Sequence, residues 1–132
     1  MQKGVMPEER RFWTWHRVTR EVSAVTAAVM VIRKSKFFEV GGFDAESFPV
    51  AFNDVDLCLR LKKAGYRNLY VAEARLIHRE SESRGDDRNR KNVERYSREL
   101  SVLQGRWKTI DIVDPHFSTL FSRSVERCVL IP

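Results

Sequence analysis

Asp54 and Asp56 stand at the mouth of "FNDVDLCLRLKKAGYR" (52–67), a run that otherwise reads as a well-made apolar helix. A carboxylate in the first turn of a helix meets free backbone N–H groups and the positive end of the helix dipole, which favour its ionised form. Ionised and aimed into a cleft, it can take a proton from a substrate hydroxyl. Plain capping would use the same position equally well, and the residues alone leave both uses open. His78 ends an apolar run and opens the polar loop "HRESESRG", in which Ser81, Ser83 and Arg84 precede Gly85. Arginine, hydroxyls and a flexible glycine suit a diphosphate, and they suit an ordinary surface loop as well.

The elements that must position these residues follow from spacing and punctuation. Leu57, Cys58, Leu61 and Ala64 recur at helical intervals, Asn53 or Asp54 is the expected cap, Lys62 and Lys63 fall in the last turn, and Gly65 is the stop. Upstream, "SAVTAAVMVIR" is nearly continuous apolar and valine-rich, which predicts a strand buried on both faces. In "KSKFFEVGGFD", Ser35 is placed to cap a short helix and Gly41–Gly42 to end it in a left-handed turn. "RNLYVAEARLIH" predicts one or two short strands. From Asp87 to Trp107, the positions of Val93, Tyr96, Leu100, Leu103 and Trp107 predict an amphipathic helix packed on the body. The alternation of strands and helices points to an α/β layer arrangement. Residues 108–132 show no regular pattern, and residues 1–23 are charged and aromatic, with Phe12, Trp13 and Trp15 close together.

The 132 residues amount to one ordinary domain, long enough to bury a core without disulfides or metals. A hydrophobic share of 42% with 32% charged residues excludes a disordered tail, and a net charge of +6 favours anionic partners without choosing among them. Cys58 and Cys128 have no metal-type spacing, and Cys58 among leucines reads as a small core residue. The first residues contain no apolar segment of signal-peptide type, and Ala24 to Ile32 is too short to span a bilayer, so a cytoplasmic location is the expectation, with contact at a membrane surface left open.

Taken in order, "VGGFD", "NDVDLCLRLKKAGYR" and "IHRESESRG" resemble the second half of a family 2 glycosyltransferase domain of the GT-A fold, across about residues 24–85 and more weakly to Trp107. The resemblance implies a partial GT-A-like (nucleotide-diphospho-sugar transferase) sheet with packed helices. It also implies an inverting transfer of sugar from a nucleotide-diphosphate donor to a hydroxyl of a glycan or lipid-linked acceptor. It puts the catalytic base on Asp54, with Asn53 where relatives carry Glu. Asp56 and Arg60 match further motif positions on the substrate side, and the two also have the spacing of an i,i+4 ion pair. His78 matches a histidine that can join a divalent metal, Mn or Mg, on the diphosphate, and Ser83 and Arg84 match the loop over the donor. Thr26-Ala27-Ala28 stands where relatives often have Thr-Gly-Ala.

The family's donor-binding half, with its Asp-x-Asp metal motif, has no counterpart before residue 24. Asp54-Val55-Asp56 has the letters of that motif but opens a helix instead of following a strand. The chain is therefore expected to be the acceptor-side part of a catalytic domain, inactive alone and inclined to homo-oligomerise. The alternative is a non-catalytic acceptor-binding module derived from such an enzyme. Nucleic acid is not an expected partner: the arginines from Arg79 to Arg98 are interleaved with Glu80, Glu82, Asp86, Asp87, Glu94 and Glu99, which leaves a modest field.

Overall fold

A computed structural model describes residues 17–76 and 90–118. Along the chain come strand β1 (Arg20–Val22), a 3₁₀ turn (Ala27–Val29), helix α1 (Lys34–Glu39), helix α2 (Asn53–Lys63), strand β2 (Asn68–Tyr70) and helix α3 (Arg90–Trp107). The class is mixed α/β, as expected. β1 and β2 pair antiparallel, with Arg20 opposite Tyr70, Glu21 opposite Leu69 and Val22 opposite Asn68. No helix among the described residues is long and apolar enough to cross a membrane.

The run from Ala24 to Ile32 is not the doubly buried strand its composition predicts. Instead it bends through the 3₁₀ turn, none of whose residues is buried, and Val31 is fully exposed. Continuous apolar character cannot by itself make a strand, because every N–H and C=O in it needs a partner. Here side chains claim those groups. Within the run Thr26 Oγ accepts from Ala28 N–H at 3.3 Å and Asp54 takes the Ala27 N–H, while just before it Asn68 Nδ2 donates to the Ser23 carbonyl at 3.0 Å. The ladder therefore ends at Val22.

α1 is six residues long and begins after Arg33, which makes no side-chain cap; Ser35 lies inside the helix instead of capping it. Its end is as expected. Gly41 (φ 85°) and Gly42 (φ 67°) turn left-handed while their N–H groups bond the carbonyls of Phe38 at 3.0 Å and Phe37 at 2.8 Å. A β-carbon on Gly42 would stand 3.0 Å from the Phe37 ring, so this position excludes a side chain on two grounds.

α2 buries Asp56, Leu57, Cys58 and Leu61 and stops at Gly65 (φ 87°), where Gly65 N–H bonds Lys62 O and Tyr66 N–H bonds Leu61 O, each at 3.0 Å. Its entry differs from expectation. The residue before the helix, Phe52, is left-handed (φ 61°), and neither Asn53 nor Asp54 is the cap. Burial raises the Cys58 thiol pKa, its hydrogen-bond acceptor is the Val25 carbonyl at 3.8 Å, and the residue is core, not nucleophile.

α3 packs on the body through part of the stripe that its apolar spacing predicts. Leu103 is buried, but Val93 and Tyr96 are about half exposed, and the second fully buried residue is Glu99. Phe48, Leu57, Cys58, Leu61, Ala72 and Leu103 form the core. Residues 108–118 are irregular and return to the body: Ser23 Oγ donates to Asp114 at 2.7 Å, and Lys62 Nζ lies 3.1 Å from His116 Nε2.

Candidate active site at the start of α2

Asp54 lies in the first turn of α2, half-buried. One carboxylate oxygen accepts the Ala27 N–H at 3.0 Å, across 27 residues of chain, and the other accepts the adjacent Val55 N–H at 2.9 Å. Each oxygen still has a lone pair to offer a hydroxyl. The carboxylate is thus tied to the 3₁₀ turn on one side and to its own helix on the other. Such a group is oriented before any substrate arrives.

Two residues on, Asp56 is fully buried. One of its oxygens accepts Arg60 Nε at 2.8 Å; the other accepts Arg106 Nη1 and Trp107 Nε1, both at 2.9 Å. The i,i+4 pair is present, and it is the smaller part of a network. Both Asp56 oxygens are taken up by protein donors, and the side chain has no exposed surface. Arg60 is likewise engaged: it also donates to the carbonyls of Val40 and Gly42, the latter at 2.6 Å. Both residues brace the first turn of α2 against the Gly41–Gly42 turn and the end of α3.

Arg106 extends the brace to Asp44 Oδ2 at 2.8 Å and Ser47 Oγ at 2.9 Å, with its guanidinium 5.0 Å above the Phe48 ring. The Ser47 backbone N–H and then Arg106 hold the Asp44 carboxyl down at about 2, from an ordinary 3.8. A depressed carboxyl stabilises the fold fully above its unfolded value and loses that contribution as pH falls from about 4 towards 2. Because Asp44 is about a quarter exposed, screening reduces the effect to about 1 kcal/mol. Asp44→Asn should therefore be less stable than the parent at pH 7, and most of the gap should be gone at pH 2. Urea melts at both pH values measure it; an equal gap at each would contradict the linkage.

Spacing and motif single out Asp54, Asp56 and Arg60; the structure places Asp54 and Asp56 in the first turn of α2 and Arg60 in its last turn, paired with Asp56. His78, Ser83 and Arg84 lie outside the described residues. Among the described residues no three His, Cys, Asp or Glu side chains gather as metal ligands, so these residues do not build a metal site. Sequence reasoning passed over Asp44, Ser47, Arg106 and Glu99. Asp44 sits within "VGGFD" and was legible as motif; Glu99 and Arg106 look like any charged residues on a helix surface.

No family model and no solved structure matches the chain. It is 41% identical over 102 residues to the uncharacterized protein y4gI of Sinorhizobium fredii, covering 77% of this chain and 11% of that protein. Over 69 residues, 52% of this chain and 5% of the other, it is 46% identical to the O-antigen biosynthesis protein RfbC of Myxococcus xanthus. Over 68 residues it is 40% identical to an N-acetylglucosaminyl-diphospho-decaprenol L-rhamnosyltransferase of Mycobacterium tuberculosis, 52% of this chain and 22% of that one. The chain spans from about a twentieth to about a fifth of the length of these curated relatives. Over about half of its own length, the chain is related to proteins of glycan synthesis that include a glycosyltransferase.

Proposed function

We propose that this chain is the acceptor-side part of an inverting family 2 glycosyltransferase of the GT-A fold, with Asp54 as its general base. The observation that carries the reading is the half-buried Asp54 carboxylate, held by the N–H groups of Ala27 and Val55 at the start of α2. Asp54 takes the proton from the acceptor hydroxyl as that oxygen bonds to the anomeric carbon, and the nucleoside diphosphate leaves from the opposite face. Attack from the face opposite the leaving group inverts the anomeric centre. The related rhamnosyltransferase's name makes a nucleotide-diphosphate L-rhamnose and a diphospholipid-linked acceptor the first pair to try. Action at the cytoplasmic face of a membrane belongs to the same proposal.

The test is acceptor-dependent release of nucleoside diphosphate by the complete protein across a panel of nucleotide sugars. Release with one donor and an inverted product supports the reading; no release with any donor sinks it. His78 would help hold a divalent metal, Mn or Mg, which would offset the charge of the donor diphosphate. His78→Ala should raise the Mn or Mg concentration needed for half-maximal transfer severalfold, as expected when one of a few ligands is lost. An unchanged metal requirement returns His78 to an ordinary hydrogen-bonding role.

Self-association is also proposed, on grounds different from the apolar run. Among the described residues the sheet has two strands, so each is an edge, and Leu69 and Val71 are nearly half exposed beside it. Light scattering coupled to size exclusion should give a mass that rises above 15.5 kDa with concentration. A constant monomer mass would contradict it.

A further inference from the structure

Glu99 is a fully buried carboxylate, and what it holds is backbone. Its Oε2 accepts the Ala51 N–H at 2.5 Å and the Val50 N–H at 3.4 Å, while its other oxygen faces Arg95 Nε at 3.3 Å. Next along the chain comes left-handed Phe52, whose ring centroid lies 5.0 Å from that of Tyr96 on α3. Then comes Asp54, and then Asp56, held by Arg106 and Trp107 of the same helix. Tyr96, Glu99, Leu103 and Arg106 recur at intervals of three and four, so one stripe of α3 faces the whole segment 50–56.

We infer that α3 aims Asp54, with Glu99 and Trp107 as positioning residues that grip the chain on either side of it. The inference rests on the reading of Asp54 as the base. Neither residue is a hydrogen-bond partner of Asp54; both act through the backbone between. A non-glycine residue in the left-handed region is strained and stays there only when its surroundings insist. Glu99 fixes the two amides before Phe52, and Trp107 fixes the turn after it. Release of either end lets Phe52 return to negative φ, the first turn of α2 rotates, and Asp54 leaves the Ala27 N–H. A buried carboxylate is a costly way to fill space, and backbone amides that need an acceptor are the feature here that answers that cost.

The Ala27 amide proton reports the hydrogen bond directly. In the labelled 132-residue chain its chemical shift should follow the titration of the Asp54 carboxyl, and Asp54→Asn should erase that pH-dependent shift. Trp107→Phe keeps an aromatic ring on α3 but removes the N–H donor together with the five-membered part of the indole. It should reduce the amplitude at Ala27 by half or more while the β1 and β2 amides keep their shifts. Glu99→Ala should do the same, and Glu99→Gln, whose carbonyl still accepts from Ala51, should restore most of it. Loss of packing alone would not produce that rescue. Full amplitude in Trp107→Phe overturns the inference, whether or not Glu99→Ala folds. Because the readout is independent of turnover, its failure is separate from any failure of Asp54 as base, which transfer by the complete protein decides.

Discussion

Asp54→Asn should reduce transfer by the complete protein by about 10²–10⁴-fold, the usual worth of a general base, and leave the fold in place. The amide is isosteric, and its carbonyl oxygen can still accept from Ala27 or Val55 N–H. Its NH₂ group then faces the other donor, so one hydrogen bond is lost, at about 1 kcal/mol. What the amide cannot do is take a proton from the acceptor hydroxyl. The signature is therefore a large fall in kcat with a melting temperature lowered by only a few degrees. Glu39→Gln is the matched control. Glu39 is an exposed acid that pairs with Lys36 at 2.9 Å and accepts from Tyr66 Oη at 2.8 Å, so its loss should hardly alter turnover. Near-normal turnover in Asp54→Asn would remove Asp54 from the role and favour the non-catalytic reading of the segment.

Asp56→Ala should have the opposite signature, with stability lost first and activity only in consequence. The substitution leaves Arg60 Nε, Arg106 Nη1 and Trp107 Nε1 without their shared acceptor at a position with no solvent access. Removing one partner of a buried ionic network costs about 3–5 kcal/mol, a large fraction of a domain's net stability of about 5–15 kcal/mol. Asp56→Asn should fall between parent and Ala, because its oxygen still accepts from one side while its NH₂ group meets a donor on the other. Chemical denaturation measures the series. A loss below about 1 kcal/mol in Asp56→Ala, the range of an exposed pair, would mean that the network does not hold α2 to α3.

What the sequence alone determined is what neighbours along the chain can settle. Gly41, Gly42 and Gly65 turn left-handed because glycine has no Cβ to forbid it, and each was legible as a stop within a few residues of the helix it ends. The extent of α2 and the Asp56–Arg60 pair follow from a period of 3.6, which puts residues four apart on one face. The resemblance carried by the order of motifs pointed to Asp54 for the same reason: its place at the start of α2 is a local fact. Tertiary structure decided the rest. Whether residues 23–32 would be a strand depended on which groups reached their amides and carbonyls, and Asn68 and Asp54 arrived from 45 and 27 residues away. Asp56 was legible as an acid in a first turn, but its burial depended on Arg106, 50 residues on. Glu99 looked like one charge among many on a solvated helix. Its carboxylate went inward because the chain at Val50 and Ala51 presents two N–H groups that no regular element satisfies. Spacing encodes which residues share a face; which polar groups a fold leaves needing partners is decided only when distant segments meet.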